Sequence, residues 1–190
     1  MSEVLPGRDV VVFDLDGTLL DSDAALLAPF AEMGVDLDEV RMGSVVGAEC
    51  ARLGVSVDEY VARYDTEVVQ PFAGVPGMLA RLRRWAVCSN KHPRSGRAEL
   101  ARLGWDPEVV MFTDAFGGGP KEVGPVLDRL AVGADRAVFV GDTAHDRATA
   151  ARAAVPFVLA GWNARAEPAP GDIVLREPGD LLAVLDLDAG

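Results

Sequence analysis

Residues 10–22 read VVVFDLDGTLLDS, and the rest of the chain is organised around them. Val10, Val11, Val12 and Phe13 form an unbroken apolar run, which predicts a strand buried on both faces. Asp14 and Asp16 follow, one residue apart. In extended backbone, positions i and i+2 project to the same side, so the two carboxylates share one face and Leu15 takes the other. Gly17 permits a positive φ and a sharp turn away from the strand. Two adjacent acids on a rigid strand end repel each other unless a cation or a shared proton compensates them. A solvated strand end before a turn accounts for one aspartate and the glycine. It accounts less well for a carboxylate pair followed by Thr18 and a further acid, Asp21.

Outward from this stretch, residues 23–69 change character. AALLAPFAEMGV, EVRMGSVVGAECARLGV and DEYVARYDTEVV carry apolar residues at helical spacing and no good buried strand. Ser56 followed by Glu59 fits a capping box at the start of the third helix. About three helices are predicted, closed off by the proline and glycine punctuation of residues 71–76. Beyond them strands and helices alternate. Helices are expected at 77–84, 93–103 (stopped by Gly104), 121–130, 146–153 and 179–185, and strands at 85–88, 109–112, 137–140, 156–159 and 173–175. Near-continuous apolar strands in such an alternation predict a parallel sheet covered by helices on both faces. Residues 1–22 and 70–190 then form an α/β core, and 23–69 an all-helical insertion after the first strand. The last five residues, 186–190, are expected to fray.

At 190 residues, 49% of them hydrophobic, the chain suits one domain with a small insertion and a sizeable core. No apolar run approaches the roughly 20 residues that span a bilayer, and the opening MSEVLPGRDV has neither the basic nor the apolar region of a secretory leader. Cys50 and Cys88 make no disulfide framework, which points to a reduced, cytoplasmic setting. The net charge of −12 argues against nucleic acid or an anionic membrane as partner, because the long-range field repels both. One basic cluster runs against that balance: Arg81, Arg83, Arg84, Lys91, Arg94, Arg97 and Arg102. It reads either as solvated helix faces or as a local attraction for an anionic substrate.

In an open parallel sheet, ligands bind beyond the carboxyl ends of the strands. At that edge the first strand delivers Asp14 and Asp16, the second Ser89 and Asn90, and a later one Asp142. Lys121 follows the glycine loop at the head of a helix. Each has a plain structural reading: Ser89 as a turn residue, Lys121 as a solvated lysine, Asp142 and Asp146 as helix caps. Their convergence carries the inference. Carboxylates, neutral donors and one lysine together suit a divalent cation beside a phosphate, and Mg²⁺ takes one or two carboxylates plus substrate oxygens.

The segment Asp14-Leu15-Asp16-Gly17-Thr18 resembles the first motif of the haloacid dehalogenase (HAD) superfamily, Asp-x-Asp-Gly-Thr. Ser89-Asn90-Lys91 resembles its second motif, Lys121 its third, and Gly141-Asp142-Thr143-Ala144-His145-Asp146 its fourth. The likeness runs from Val10 to about Leu185 apart from the insertion. It is greatest to the phosphoglycolate phosphatase-like branch, whose helical cap lies between motifs one and two. The resemblance implies a three-layer, Rossmann-like parallel sheet with a small all-helical cap. The chain departs from the family pattern at Lys121-Glu122, where Lys-Pro is usual, and at Ala154-Val155, where Ala-Gly is usual. The link around Arg84-Trp85 and the insertion itself are also short for a cap of this type.

A Mg²⁺-dependent phosphatase acting on a small phosphomonoester is the function this resemblance implies. Asp14 would attack phosphorus to give an aspartyl-phosphate, and Asp16 would protonate the leaving oxygen and then deprotonate water. Lys121 and Ser89 would bind phosphoryl oxygens, with Asn90 and the Thr18 backbone as further donors. Asp14, Asp142 and the backbone carbonyl of Asp16 would hold Mg²⁺, and Asp146 a metal-bound water. His92 and His145 receive no role. Two alternatives stand beside this: a sugar-phosphate mutase of the same superfamily, and a receiver-type signalling domain, which places its phospho-accepting aspartate after a later strand and has no helical insertion. The expected partner is a small phosphorylated metabolite, contacted in the insertion by Arg41 or Arg63, and the expected assembly is a monomer or homodimer.

Overall fold

Strand alternation divides the first apolar run between two cores. In the computed structural model, which describes residues 4–187, Val11 and Phe13 join one hydrophobic cluster while Val10 and Val12 join another. None of the four is more than 2% exposed, so the run has no polar position because it has no solvent face.

In chain order the strands are β1 (Val10–Phe13), β2 (Leu20–Asp21), β3 (Gln70–Pro71), β4 (Trp85–Cys88), β5 (Val109–Met111), β6 (Ala137–Gly141), β7 (Phe157–Ala160) and β8 (Ile173–Leu175). Six of them form one parallel sheet in the order β5-β4-β1-β6-β7-β8. The helices are α1 (Asp23–Glu32), α2 (Val46–Leu53), α3 (Val57–Arg63), α4 (Val75–Leu79), α5 (Pro93–Leu103), α6 (Gly124–Leu130), α7 (Ala144–Arg152) and α8 (Asp180–Val184). Met78 of α4, Leu100 of α5 and Leu181 of α8 pack on the Val11 and Phe13 face. Val126 and Leu127 of α6 and Ala150 of α7 cover the opposite face. The result is the three-layer parallel α/β architecture expected from the sequence.

β2 and β3 form a separate antiparallel pair, Leu20 opposite Pro71 and Asp21 opposite Gln70. Helices α1, α2 and α3 lie between them in sequence. Phe30, Cys50, Tyr60 and Tyr64 of this stretch join the same cluster as Phe13, so its core is continuous with that of the sheet. The Phe30 and Tyr60 rings lie 4.6 Å apart, and the Tyr60 hydroxyl donates to the Leu26 carbonyl at 3.0 Å.

Several element boundaries differ from the sequence reading for local reasons. The helix expected at 77–84 is α4, which starts earlier because Gly74 turns the chain at φ +89° and Pro76 sits in the first turn. Lys121 does not open a helix: its N–H donates to the Asn90 side chain at 2.7 Å, and α6 begins only at Gly124. The helix expected from 146 starts at Ala144, because Thr143 is its N-cap and Asp146 its third residue. β5 stops at Met111, ahead of a 3₁₀ turn at Thr113–Phe116. Of the capping box expected at Ser56, the bond from the Glu59 N–H is present. Residues 188–190 of the stretch expected to fray lie outside the described residues. Among the described residues no helix is long and apolar enough to cross a membrane.

Candidate active site

The carboxyl ends of β1 and β6 and the first turn of α7 bring three acids together. Asp14, Asp142 and Asp146 are buried, and one oxygen from each lies within 4.8 Å of the others. Two glycines permit this approach. Gly17 turns at φ +75°, and a Cβ there would sit 2.3 Å from Asp142 Oδ2. A Cβ on Gly141 would sit 2.4 Å from the Asp146 Cβ.

Lys121 reaches this cluster from the loop before α6, with its side chain only 2% exposed. Its Nζ lies 2.8 Å from Asp14 Oδ1 and 2.5 Å from Asp146 Oδ1, ion-pair distances without ideal hydrogen-bond angles at either oxygen. Burial opposes the lysine's charge, but Asp14 and Asp146 more than offset it and hold its pKa above the ordinary value. Asp146 is burdened by burial too, yet Lys121 and the Thr143 donors keep its carboxyl below the usual range. Its Oδ2 accepts from the Thr143 hydroxyl at 2.6 Å, the Thr143 N–H at 2.9 Å and the Asp142 N–H at 3.2 Å. Both oxygens of Asp146 are thus engaged by the protein, and the capping box fixes them.

The other two acids are less well compensated. Burial pushes Asp14 up to about 6, with Lys121 opposing and Asp146 adding to the rise. Asp142 is pushed up to about 8, by burial first and then by Asp14 and Asp146. Asp14 Oδ1 and Asp146 Oδ1 are buried with the Lys121 ammonium as their shared ion-pair partner. Crowded, desolvated carboxylates held at elevated pKa are a donor set that fits a hard divalent cation, which supplies the charge the cluster lacks.

The remaining sequence-predicted residues divide in two groups. Ser89 and Asn90 line the cavity, as do Asp14, Asp16, Lys121 and Asp142. Thr18 does not: its hydroxyl donates to Asp142 Oδ1 at 3.0 Å and its N–H turns back to the Leu15 carbonyl. It braces an acid instead of facing the cavity. The Asn90 amide donates to the Gly43 carbonyl at 2.8 Å, and its oxygen accepts from the Lys121 N–H. Asn90 therefore ties the lysine loop to a loop between β2 and β3. His92 caps α5 through a bond from the Arg94 N–H, and His145 is partly buried on α7, its pKa lowered by burial and by Lys121.

Sequence reasoning missed several residues. Asn163 donates to Asp142 Oδ2 at 3.0 Å and to the Gly17 carbonyl at 2.9 Å, while Trp162 donates to the Thr18 carbonyl at 2.9 Å. Both follow β7 at the sheet edge where ligands collect, so the strand-end rule applied once more would have found them. Lys91, which the sequence placed in a basic cluster and in the segment resembling the second motif without giving it a role, has a side chain only 2% exposed. Arg165 also lines the cavity and pairs with Asp23.

The cavity has a volume of about 330 Å³. Asp14, Asp16 and Asp142 line it together with Leu26, Phe30, Tyr60 and Arg41 from the stretch between β2 and β3. Arg41 is held there by Glu49, which accepts its backbone N–H at 2.7 Å. Arg63, the other insertion arginine expected at the substrate, does not line it and pairs instead with Glu59 and Glu32 on the exposed surface.

A cation-fitting acid cluster, a buried lysine and a doubly wound parallel sheet define a recognisable class. The model of the haloacid dehalogenase-like hydrolases matches residues 11–160, and the chain belongs to that family. It is 32% identical over 186 residues to a phosphoglycolate phosphatase of Xanthomonas campestris, covering 82% of this chain and 84% of the relative. It is 28% identical over 219 residues to an N-acetylmuramic acid 6-phosphate phosphatase of Pseudomonas aeruginosa, covering 93% and 94%. Among solved structures, CbbY from Rhodobacter sphaeroides in complex with phosphate superposes with a TM-score of 0.73 at 21% identity, over 95% of this chain and all of that one (100%).

Proposed function

We propose that the chain is a phosphomonoesterase that hydrolyses a small phosphorylated metabolite through an aspartyl-phosphate on Asp14. The observation that carries this reading is the placement of Asp14. It lines the cavity, paired with a buried lysine and within 4.8 Å of two further acids. Relatives named for phosphoglycolate and N-acetylmuramic acid 6-phosphate support a small phosphate ester as the substrate.

Asp14 attacks phosphorus as the ester bond breaks, and Asp16 gives a proton to the leaving oxygen. Water then attacks the acyl phosphate, Asp16 takes its proton, and Asp14 is released as a carboxylate. Lys121 and Ser89 balance negative charge on the non-bridging oxygens. Asp14, Asp142 and the Asp16 backbone carbonyl would hold Mg²⁺, which when bound screens the anionic nucleophile from the anionic ester. Asp146 acts through Lys121 and the Asp142 backbone, since both its oxygens are occupied. Residues 23–69 act as a cap over a core of 1–22 and 70–190. Arg41 is the insertion side chain that would meet the substrate's distal polar group.

A panel of phosphate esters assayed for phosphate release, with Mg²⁺ and with a chelator, tests the reading. Mg²⁺-dependent release from small esters, at higher kcat/KM than from phosphopeptides or oligonucleotide ends, is expected. Conversion of an ester into an isomeric ester without free phosphate would assign the chain to the mutases instead.

A further inference from the structure

The two acids of the Asp-x-Asp pair are each served by a separate buried lysine. Lys121 pairs with Asp14, whereas Lys91 Nζ donates to Asp16 Oδ1 at 2.6 Å. Lys91 also donates to the Tyr64 hydroxyl oxygen at 2.7 Å and lies 3.1 Å from Glu99 Oε2. An ammonium has three N–H bonds, and three oxygens surround this one, so its direction is fixed. The partners are fixed in turn. Tyr64 donates its hydroxyl hydrogen to Glu99 Oε1 at 2.7 Å, and its ring lies 4.5 Å from Lys91 Nζ. Glu99 is fully buried in α5. On the other side, the Ser22 hydroxyl donates to the same Asp16 Oδ1 at 2.7 Å.

Both bonds fall on one oxygen. No hydrogen bond reaches Asp16 Oδ2 among the described residues, and Asp16 lines the cavity with 17% of its side chain exposed. We infer that Lys91, held by Tyr64 and Glu99, is a positioning residue for Asp16: it anchors Oδ1 so that Oδ2 exchanges the proton with the leaving oxygen and then with water. The inference rests on the phosphatase reading. The Oδ2–H bond breaks as the leaving oxygen gains its hydrogen and the P–O bond to it opens. In the second half-reaction, a proton of the attacking water returns to Oδ2. Ester and water thus become alcohol and phosphate, with Asp16 restored. Tyr64 ends α3, so the acid is oriented by a residue from the stretch between β2 and β3 as well as by the sheet edge.

A purely structural ion pair would matter equally for every substrate, but a positioned acid matters most where the leaving oxygen needs a proton. Lys91→Met is therefore compared with the parent on an alkyl phosphate and on p-nitrophenyl phosphate, whose phenolate leaves without one. A fall in kcat/KM, which reports the steps up to departure of the leaving oxygen, of about 100-fold or more on the alkyl ester is expected, within the usual span of general-acid effects, against less than about tenfold on the aryl ester. Lys91→Met leaves Glu99 buried without its cation. Lys91→Met/Glu99→Gln removes both charges, and Tyr64→Phe removes only a hydroxyl; both should show the same bias, smaller in the Tyr64 variant. Thermal melts identify which variants fold. Equal losses on the two esters in the folded variants, or no loss, overturn the inference. Failure of the parent to release phosphate from either ester overturns the phosphatase reading itself, a separate result.

Discussion

Replacing Asp142 by Asn should stabilise the metal-free protein at pH 8 and abolish its stabilisation by Mg²⁺. The Asp142 carboxyl is pushed from the usual 3.8 up to about 8, mainly by burial and then by Asp14 and Asp146. The difference, 8 − 3.8, is about 4 units, and each unit corresponds to about 1.36 kcal/mol. The folded state holds this proton more tightly than the unfolded chain does. Folding stability therefore falls as pH rises from about 4 to about 8. With Asp142 ionised, the upper bound on that loss is about 5 kcal/mol, and relaxation within a coupled cluster brings the expected effect to about 2 kcal/mol.

Asparagine keeps the local bonds. Its carbonyl can accept from Asn163, now 3.0 Å from Oδ2, and its amide can donate to Thr18, now 3.0 Å from Oδ1. For a chain of 190 residues each kcal/mol shifts Tm by about 2–4 °C, so the variant should melt about 4–8 °C above the parent at pH 8 in chelator. At pH 5 the parent's Asp142 is protonated and the two should melt together. Millimolar Mg²⁺ at pH 8 should raise Tm for the parent and leave the variant unmoved. Differential scanning calorimetry at both pH values, with and without Mg²⁺, makes the comparison. A variant that melts below the parent at pH 8 in chelator would refute the electrostatic argument.

Asp14→Asn should reduce turnover by far more than tenfold while leaving the circular dichroism spectrum unchanged, because an amide is nearly isosteric with a carboxylate but a poor nucleophile. Phosphate release within tenfold of the parent would remove Asp14 from the nucleophile's role. Lys121→Met should abolish turnover and lower stability by about 3 kcal/mol, since it leaves Asp14 and Asp146 buried together without their cation. Lys121→Arg should recover part of both, as the charge returns on a bulkier planar group; equal hydrolysis by the Met and Arg variants, measured as kcat/KM, rules out a role for the lysine's charge.

The sheet was legible because its inner strands β4, β1, β6 and β7 are buried on both faces. Residues 85–88 and 93–103 were read with the bounds they have, since an apolar run and a Pro-to-Gly helix are local signals. Boundaries failed where a tertiary bond overrode the local pattern. Helical periodicity extends back to Lys121, but its N–H is committed to Asn90, thirty-one residues away in sequence, which keeps the chain extended until Gly124. The early start of α4 reflects Gly74 and Pro76, which begin the helix before the apolar pattern suggests.

The acids of the site were legible for a different reason: several charged groups converge at the carboxyl ends of apolar strands, which the plain reading of each one alone does not explain. A residue that acts by orienting another acid has no such signature. Lys91 stands among seven basic residues from Arg81 to Arg102, and although Ser89-Asn90-Lys91 resembles a family motif, nothing in the sequence pairs the lysine with Asp16. What sets it apart is that Glu99 of α5 faces it, and Tyr64 arrives from the end of α3. The Glu99 carboxyl is pushed up to about 7, chiefly because burial strips its water, with Lys91 opposing and Asp16 adding to the rise. Each member of the trio looks like surface until the other two are present. Burial of a charge is a property of the set, because an ionised group enters the interior only where partners for it already converge. A single chain's local pattern therefore reveals the reacting acids first and the residues that aim them last.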